Sequence, residues 1–413
     1  MAKENVNIGI DIGSQSIRVV VGRIDGDSGK MRILGIGETP SGGIRRGVVV
    51  DIEEAVSSIS QALEQAERAS GIPIEHAFVA VGGAHITSEA SKGVIAVSRA
   101  DNEIGEDDVM RVIDAAAAVS IPPNSEILHV IPKNYIVDNQ SGIKDPVGMN
   151  GVRLEVEAVI IEGSVSFMKS LTKCVFRTGV DVDDLVAGSL AASGSVLTKR
   201  QKELGVIMLD IGAGTTSLIV FEESDLLHTV VLPIGSSHIT NDLAIGLRTS
   251  IEVAEKVKLQ YGSAIPKEVE RKDSIDLSQI SSGEEGSASR RQVAEIIEAR
   301  LQEIFTLVDQ ELIKIDRSGM LPAGCVLVGG GVKLPGVVDI AKDTLRLPVQ
   351  IGFPQDIVSA LDKINDPSFA VAAGLALWPG NVDLGKSKSG WKETSGMKET
   401  VTGIKTWFKN LLP

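Results

Sequence analysis

Two stretches of this chain share one pattern: a run of apolar residues, a short polar turn, and a second run rich in β-branched residues. The first spans Val6–Val21 and turns at Asp11-Ile-Gly13-Ser14-Gln15-Ser16. The second spans Val206–Phe221 and turns at Asp210-Ile-Gly212-Ala213-Gly214-Thr215-Thr216. Each predicts a strand, a tight turn and a strand. Because the pattern occurs twice, about 200 residues apart, the sequence predicts an internally duplicated α/β protein with two lobes.

Hydrophobic periodicity predicts the other elements. Apolar residues at helical spacing predict helices over Ile52–Ala69, Asp107–Ser120, Val165–Thr178, Val182–Leu197, Ser250–Tyr261 and Arg291–Ile315. Short apolar runs predict buried strands at His76–Gly83 and Cys325–Val328. The polar segment Gly262–Ser289, rich in Gly, Ser and Glu, predicts a mobile loop region.

These patterns divide the chain into eight parts. Residues 1–83 and 163–199 are expected to form the core of the first lobe and the link between lobes. Residues 84–162, with short alternating segments, are expected to form an inserted α+β subdomain. The core of the second lobe is assigned to 200–235 and 321–379, and its outer, partner-binding subdomain to 236–320. A flexible linker (380–397) and a terminal amphipathic helix (398–413) complete the chain.

Composition and charge exclude several classes of protein. Of the 413 residues, 43% are hydrophobic and 23% charged, which is typical of globular proteins. No apolar run approaches the roughly 18 residues of a spanning helix, and the first residues lack the pattern of a secretory signal. Two distant cysteines, Cys174 and Cys325, favour a reducing cytoplasm over a disulfide framework or a cysteine-rich zinc site. A net charge of −14 argues against nucleic acid as the main partner.

The two predicted turns have the composition of a phosphate-binding site. Glycine and small polar residues allow backbone N–H groups to converge, and such concave nests bind phosphate oxygens. The hydroxyl groups of Ser14, Ser16, Thr215 and Thr216 would add donors. Two copies of the turn would hold a polyphosphate from both sides.

A pair of aspartates and a third glycine turn extend this interpretation. A carboxylate beside a phosphate is repelled unless a cation lies between them, so Asp11 and Asp210 together predict a shared Mg²⁺ held through water. The turn Gly329-Gly330-Gly331 is expected to lie against a nucleoside, because only a residue without Cβ permits such close approach.

Three segments resemble motifs of the actin/Hsp70/hexokinase ATPase superfamily. Ile10–Arg18 resembles its phosphate-one motif, Leu209–Thr216 resembles its phosphate-two motif, and Val328–Gly336 resembles its adenosine motif. Within that superfamily the chain resembles the FtsA family of bacterial cell-division proteins over nearly its whole length, including Pro233-Ile-Gly235 and Ala254-Glu255-Lys-Val-Lys258. The resemblance implies an α/β, two-lobed, duplicated actin-like ATPase fold that binds ATP and Mg²⁺ between its lobes.

The resemblance also implies site residues. ATP would be contacted by Gly13, Ser14, Gln15, Ser16, Gly212, Ala213, Gly214, Thr215, Thr216, Gly235, Glu255, Lys258, Gly329, Gly330, Gly331 and Lys333, and Mg²⁺ by Asp11 and Asp210 through water. Glu255 and Lys258 would approach the ribose and adenine, with an ordinary charge pair on a helix surface as the alternative. The stretch Asp183–Ala191 contains no Gln or Glu to orient an attacking water. We therefore assign no catalytic residue and expect slow hydrolysis at most.

Partners are likewise implied by the resemblance. The protein would be a structural adaptor that polymerises on the cytoplasmic face of the inner membrane at the division site. It would tether the tubulin-like division protein FtsZ there, and recruit other division proteins through its insert. The FtsZ C-terminal peptide would bind the outer part of the second lobe, where Arg300 and Glu303 are candidate contacts. A solvated helix face is the alternative for these two residues.

The last residues form a distinct segment. Apolar residues recur at helical spacing at Val401, Ile404, Trp407, Phe408, Leu411 and Leu412. Lys405 and Lys409 lie off the face that these residues would form. A basic amphipathic helix after a flexible linker predicts a membrane-surface anchor, and members of the FtsA family end in the same way. A helix packed on the domain is the alternative.

Two other functions remain open from the sequence. The pilus-assembly ATPase PilM shares the nucleotide motifs and a similar insert, but is not expected to carry the Trp-Phe tail. A small-molecule kinase of the same superfamily would need a catalytic base in the cleft, for which the sequence offers no convincing candidate.

Overall fold

The computed structural model describes residues 6–25, 30–99, 101–118, 122–284, 286–359 and 361–378. The strands are β1 (Val6–Ile12), β2 (Ser16–Ile24), β3 (Met31–Pro40), β4 (Ile44–Arg45), β5 (Val48–Val49), β6 (His76–Val81), β7 (Thr87–Ala96), β8 (Ser125–Val137), β9 (Gln140–Ile143), β10 (Arg153–Ser164), β11 (Asp181–Ala187), β12 (Val206–Ile211), β13 (Thr216–Glu222), β14 (Asp225–Leu232), β15 (Ser274–Asp276), β16 (Ser287–Ser289), β17 (Cys325–Val328), β18 (Val349–Ile351) and β19 (Ile357–Val358).

The helices are α1 (Ile52–Ser70), α2 (Glu106–Ala117), α3 (Val165–Phe176), α4 (Gly188–Val196), α5 (Lys199–Leu204), α6 (Ser236–Leu247), α7 (Ile251–Tyr261), α8 (Arg290–Lys314), α9 (Val337–Leu345) and α10 (Ala370–Leu377). Short 3₁₀ turns occur at Pro266–Glu268, Leu277–Gln279, Gly330–Lys333, Asp362–Asn365 and Pro367–Phe369. Within the described ranges, no helix is both long enough and apolar enough to cross a bilayer.

The first lobe is built on a six-stranded sheet in the order β11-β6-β1-β2-β3-β19. Helix α1 covers one face so closely that a Cβ on Gly37 would lie 1.9 Å from the Ala62 carbonyl oxygen. Helix α10 covers the other face, where a Cβ on Gly9 would lie 2.5 Å from the Ala372 carbonyl oxygen. Successive strand residues point to opposite faces, so a glycine on each face lets one helix approach the sheet.

The second lobe repeats this plan in a sheet of order β14-β13-β12-β17-β18. Hairpin β12–β13 with parallel β17 matches hairpin β1–β2 with parallel β6. Helices α6, α7 and α8 and the short pair β15–β16 form its outer part. The second core includes the fully buried Phe305 on α8, together with apolar residues of β12 and β17.

The insert is a separate small unit between β6 and α3. Its four antiparallel strands run in the order β7-β10-β8-β9, and α2 packs on β7 and β10. A third core lies between them, around Val112, Leu154 and Val156. The predicted α+β insert is thus observed.

Three sequence predictions differ from the structure. The helix predicted over Val182–Leu197 is strand β11 followed by α4, because residues Asp181–Ala187 pair in parallel with β6 and the helix begins only at Gly188. The segment Gly262–Ser289, predicted to be a mobile loop, contains two 3₁₀ turns and the paired strands β15 and β16.

The third difference concerns the range 321–379, predicted to belong to the second lobe. That lobe's sheet ends with β18 at Ile351. Strand β19 pairs with β3, and α10 packs on β1, so the chain returns to the first lobe before residue 357. Helix α10 is apolar on all sides. Its sequence therefore does not reveal which sheet it covers.

Candidate functional site

A cleft of about 560 Å³ lies between the two lobes. Its walls contain the turns of both duplicated hairpins, the glycine turn after β17, and part of α7. The predicted site residues that line it are Asp11, Gly13, Ser14, Gln15, Ser16, Asp210, Gly212, Ala213, Gly214, Thr215, Glu255, Lys258, Gly329, Gly330, Gly331 and Lys333. Residues from both halves of the chain are therefore brought to one site.

The first hairpin turn is closed by its own backbone. The N–H of Gly13 donates to the Ser16 carbonyl oxygen at 3.2 Å. A Cβ on Gly13 would lie 2.8 Å from that oxygen, so the turn needs glycine. The Ser14 hydroxyl oxygen accepts from the N–H of Gly47 at 3.0 Å. Its own proton remains available for a ligand.

The second turn repeats this closure, since the N–H of Gly212 donates to the Thr215 carbonyl oxygen at 2.9 Å. Thr216 and Gly235, which were predicted to contact ATP, lie behind this turn. The buried Thr216 hydroxyl donates to the Ile234 carbonyl at 2.8 Å. A Cβ on Gly235 would lie 2.6 Å from the Gly212 carbonyl oxygen. Both residues hold the turn in place from its rear.

Asp11 and Asp210 are partly buried acids at the ends of matching strands. Burial raises the pKa of Asp11 to about 7, an effect opposed by Arg18 and reinforced by the charge of Asp210. Burial likewise raises the pKa of Asp210 to about 6, again opposed by Arg18. Burying two ionised carboxylates side by side is unfavourable, and a cation between them removes much of the cost.

Arg18 is a charged group to which the motifs assign no role. Its Nη2 pairs with Glu38 Oε1 at 3.0 Å, and its guanidinium lies over the ring of Phe369. Its Nε is buried and has no hydrogen-bond partner among the described residues. Arg18 also lines the cleft. It therefore places a positive charge near both aspartates.

The third turn passes directly over Asp210. Gly329 has a φ of 92°, and a Cβ there would lie 2.3 Å from Asp210 Oδ1, so only glycine fits. A Cβ on Gly330 would meet no atom within 4 Å, which leaves that side of the cleft open for a ligand. Lys333 pairs with Asp366 on the segment that returns to the first lobe.

Glu255 and Lys258 form a fixed group on α7. Lys258 Nζ lies 2.7 Å from Glu255 Oε2 and donates to the Thr240 hydroxyl oxygen at 2.9 Å. The Thr240 hydroxyl in turn donates to Glu255 at 2.5 Å. These contacts join α6 to α7 at the wall of the cleft. The pair is part of the site's wall and also part of the packing between the two helices.

The other cleft residues that the motifs did not indicate include Gly47, Gly82, Gly188, Ser236 and Leu259. Gly82 and Gly188 follow the carboxyl ends of β6 and β11, where ligands of parallel sheets commonly bind. Knowledge of the strand order in the first lobe's sheet would have indicated these two glycines as cleft residues. Gly47 belongs to the turn between β4 and β5, and Ser236 is the first residue of α6; the approach of these two residues to the cleft has no sequence signature.

The predicted partner residues lie away from the cleft on α8. Arg300 makes a bidentate pair with Asp242 of α6, with Nε to Oδ2 at 2.6 Å and Nη2 to Oδ1 at 2.8 Å. Its Nη1 reaches Glu303 at 2.5 Å. Arg300 is thus engaged within the subdomain, whereas the side chain of Glu303 is 53% exposed. The predicted membrane residues from Val401 to Leu412 lie outside the described residues.

A metal at this site would need ligands beyond the protein. Among the residues described, no three His, Cys, Asp or Glu side chains cluster with the spacing of a metal site. Two aspartates with open space beside them suit a hydrated cation carried in with an anionic ligand better than an all-protein cage.

The duplicated hairpins, their parallel partner strands and the shared cleft define a two-lobed protein with the actin-like ATPase fold. Solved structures with this fold superpose on the chain. The PilM-PilN type IV pilus biogenesis complex gives a TM-score of 0.64 at 18% identity, covering 90% of this chain and 97% of that one. MreB5 of Spiroplasma citri bound to ADP gives 0.54 at 15% identity, covering 92% and 97%.

Sequence relatives identify the family. The chain is 37% identical over 396 residues to the cell division protein FtsA of Pseudomonas aeruginosa, covering 96% of this chain and 92% of that one. It is 40% identical over 375 residues to FtsA of Bacillus subtilis, covering 91% and 83%. The family profiles "Cell division protein FtsA" and "SHS2 domain inserted in FTSA" match residues 207–374 and 83–162. The chain belongs to the FtsA family of actin-like cell-division proteins, as the motif resemblance predicted.

Proposed function

We propose that the cleft binds ATP with Mg²⁺. The observation that carries this proposal is the convergence of two glycine turns, one from each lobe, on two partly buried aspartates whose pKa values are raised. A polyphosphate would be held by the backbone N–H groups of the turns and by the Ser14 and Thr215 hydroxyls. The bound cation would neutralise charge between the phosphates and the aspartates.

The nucleoside would occupy the side of the cleft in the second lobe. Gly330 leaves open space there, and Glu255 and Lys258 form the adjacent wall. Leu259, which is 71% exposed, would lose contact with water beneath a bound base. MreB5 of Spiroplasma citri, which shares the fold, was solved bound to ADP, and this supports a nucleotide in the equivalent cleft.

Hydrolysis is proposed to be slow. In the stretch Asp183–Ala191, Gly188 lines the cleft, while the Ser189 hydroxyl lies 2.9 Å from that of Thr229. Asp184 is exposed, and its carboxyl group lies beside Trp378. We assign none of these groups to an attacking water, so nucleotide binding would serve chiefly as a conformational switch.

We further propose that the protein self-associates on the cytoplasmic face of the cell membrane and tethers FtsZ there. The relatives are cell division proteins. Both the partner and the location in this proposal are those that the resemblance to their family implies. The basic amphipathic segment at residues 398–413 would supply the membrane contact. The insert would recruit other division proteins. The surface of α8 that presents Glu303 would receive the FtsZ C-terminal peptide, with Arg300 holding that surface against α6.

Co-sedimentation tests this function directly. The full chain would be mixed with anionic vesicles (phosphatidylglycerol and phosphatidylethanolamine), FtsZ, and ATP with Mg²⁺ or EDTA. We expect FtsZ to pellet only when this protein is present, and more protein to pellet with ATP and Mg²⁺. FtsZ that stays in the supernatant under all conditions contradicts the tethering role.

A PilM-like role in pilus assembly, which the nucleotide motifs left open, is the second candidate, and the chain superposes on the PilM-PilN complex. At 18% identity this likeness carries the fold only. The two roles are separated by offering the protein an FtsZ C-terminal peptide and, as competitor, PilN. Binding of PilN alone would favour the pilus role.

A further inference from the structure

The insert contacts both lobes of the protein. Its chain leaves the first lobe after β6 and returns to it at α3. Its edge strand β7 also lies against β14, the edge strand of the second lobe's sheet. An insert that contacted one lobe only would move together with that lobe. Because this insert contacts both lobes, a movement of one lobe relative to the other would change at least one set of its contacts.

Thr229 on β14 is the point where these contacts meet. Its N–H donates to the Ser88 hydroxyl oxygen at 3.0 Å, and the Ser88 hydroxyl donates to the Thr229 carbonyl at 2.8 Å. The Thr229 hydroxyl donates to the Leu218 carbonyl and lies 2.9 Å from the Ser189 hydroxyl oxygen. Thr229 is fully buried. It is therefore joined to the insert through Ser88 and to α4 through Ser189.

Ser88 takes part in an arrangement that resembles a catalytic relay. Its hydroxyl oxygen is 3.2 Å from His228 Nδ1, and His228 Nε2 is 3.3 Å from Glu311 Oε2. The two bonds between Ser88 and the Thr229 backbone are shorter, and they use the hydroxyl as both donor and acceptor. A nucleophile needs a free hydroxyl in an open site. Ser88 is thus a joint between two strands.

An ion pair forms a second connection at the start of β14. Lys144 Nζ of the insert donates to both carboxylate oxygens of Asp225, at 2.6 and 2.7 Å, and to the Lys133 carbonyl at 3.1 Å. The Asp225 side chain is 14% exposed and that of Lys144 is 39% exposed. A pair with one largely buried partner and three short contacts is held more firmly than an exposed pair.

A continuous path leads from the cleft to this interface. Gly188 lines the cleft at the start of α4, the helix that carries the chain from one lobe to the other. On one side of it, the Ala187 N–H donates to Nε2 of His129 in the insert at 3.1 Å. On the other side, Ser189 contacts Thr229. The wall of the cleft is therefore one residue from contacts with the insert and with the second lobe.

We propose that the insert is docked on the second lobe by the Ser88–Thr229 and Lys144–Asp225 contacts, and that ligand binding in the cleft changes this docking through Ala187–Ser189. The coupling to ligand rests on the proposed function, in which the ligand is ATP. The two states are a docked insert and a released one. Linkage requires that a variant which releases the insert also change the affinity of the cleft.

Hydrogen exchange of the full chain tests the docking. Lys144→Met removes the ion pair, and we expect exchange in peptides covering β7 and β14 to rise by about threefold or more, because local opening sets the exchange rate. Lys92→Met is the matched control, since Lys92 pairs with Glu157 at 2.6 Å inside the insert. The charge exchange Lys144→Asp with Asp225→Lys should restore protection. Equal exchange in the wild type and Lys144→Met overturns the docking.

Calorimetric titration with ATP and Mg²⁺ tests the coupling. We expect Lys144→Met and Ser88→Ala to change the ATP Kd in the same direction by about threefold or more, with Lys92→Met unchanged. Faster hydrogen exchange in β7 and β14 together with an unchanged ATP Kd would overturn the coupling. If the wild type binds no ATP, the proposed function and the coupling both fail, while the exchange experiment still decides the docking. An unchanged circular dichroism spectrum and a cooperative melting transition would show that each variant is folded.

Discussion

Arg18 lies directly opposite Asp11 in the β1–β2 hairpin, whereas Asp210 faces Ser217 at the equivalent position of β12–β13. The duplicated hairpins are thus alike in backbone and unlike in charge. The single guanidinium opposes the raised pKa of both aspartates. The first lobe therefore supplies a positive charge that lowers the pKa of the second lobe's aspartate across the lobe boundary.

Removing one aspartate should weaken binding of ATP with Mg²⁺ without unfolding the protein. Asp210→Asn keeps the shape of the side chain and removes the charge that would hold the hydrated cation. We expect the Kd measured by calorimetry to rise tenfold or more, equivalent to about 1.4 kcal/mol or more. Asp11→Asn should behave likewise, and Asp343→Asn on the exposed face of α9 should have no effect. Wild-type affinity in Asp210→Asn would contradict the placement of the metal.

The raised pKa values of Asp11 and Asp210 predict opposite pH trends for stability and for binding. Both lie above the ordinary value of 3.8, so between about pH 4 and 7 the folded protein holds protons that the unfolded chain has released. The free energy of unfolding of the ligand-free protein should therefore fall as the pH rises through this range. Affinity for ATP with Mg²⁺ should increase over the same range, as the aspartates ionise.

Urea unfolding in EDTA and calorimetry at about pH 5.5 and 7.5 would measure these two trends. The double variant Asp11→Asn, Asp210→Asn is the control, and its unfolding should lose this part of the pH dependence. A wild-type affinity that is equal at both pH values would count against ionised aspartates as the partners of the cation.

Thr216 is predicted to act through the position of the second turn. Thr216→Val leaves the buried Ile234 carbonyl without its hydroxyl donor, and we expect a loss of about 1–2 kcal/mol in the free energy of unfolding. ATP affinity should fall as well, because Ile234 precedes Gly235 behind the turn. Thr216→Ser retains the hydroxyl and should retain affinity. A valine variant that binds ATP like the wild type would show that the turn does not need this support.

Arg300 and Glu303 are predicted to separate stability from partner binding. Arg300→Ala breaks the bidentate pair with Asp242 between α8 and α6, and should lower the free energy of unfolding by roughly 1–2 kcal/mol. Glu303→Gln removes an exposed charge and should leave the free energy of unfolding unchanged. The same variant should bind an FtsZ C-terminal peptide more weakly, as measured by fluorescence anisotropy. Unaltered peptide binding in Glu303→Gln would exclude this carboxylate from the partner surface.

The tail is predicted to bind membranes through its apolar residues. Six large side chains, each worth roughly 1.5–3 kcal/mol if fully buried, are offset by partial burial and by the cost of ordering a short helix. Three lysines, Lys398, Lys405 and Lys409, add about 1 kcal/mol each on an anionic leaflet. One tail therefore binds modestly, and many tails on a polymer bind firmly.

Trp407→Glu places a charge among these apolar positions and should release the protein from anionic vesicles in a pelleting assay. Thr406→Glu adds the same charge on the polar side of the helical wheel and should reduce binding only slightly. Deleting residues 398–413 should abolish pelleting with ATP binding intact. Persistent pelleting, or a deletion variant that fails to fold, would indicate a helix packed on the domain instead.

Features with a local signature can be predicted from the sequence. The hairpins follow from apolar runs around Gly-rich turns, and α8, predicted at 291–315, is observed at Arg290–Lys314. Helix α1 begins at an Asp51 cap and ends at Gly71 in a left-handed conformation, both of which are sequence signals. Glycine positions of the cleft are predictable for the same reason, since a turn dictates its own residues.

Contacts between distant residues leave no such signature. Arg300 meets Asp242 across 58 residues, and Ser88 meets Thr229 across 141. Nothing in either local sequence identifies the partner. The helix predicted over Val182–Leu197 is wrong in its first part, Val182–Ala187, because the pairing of these residues with β6 outweighs local preference. The role of Arg18 follows from strand register, which becomes visible only when the turn length is known.

The return of the chain to the first lobe determines the order in which the two lobes can be completed during synthesis. The second lobe's sheet is drawn from the continuous segment 206–351, whereas the first lobe takes strand β19 and helix α10 from residues 357–377. On the ribosome, the lobe that is translated first is therefore the last to close. Until α10 emerges, the face of β1 around Gly9 stays uncovered and β3 remains an open sheet edge. A nascent chain of this protein is consequently most exposed to misassembly in its N-terminal half, the region where a chaperone would have to act.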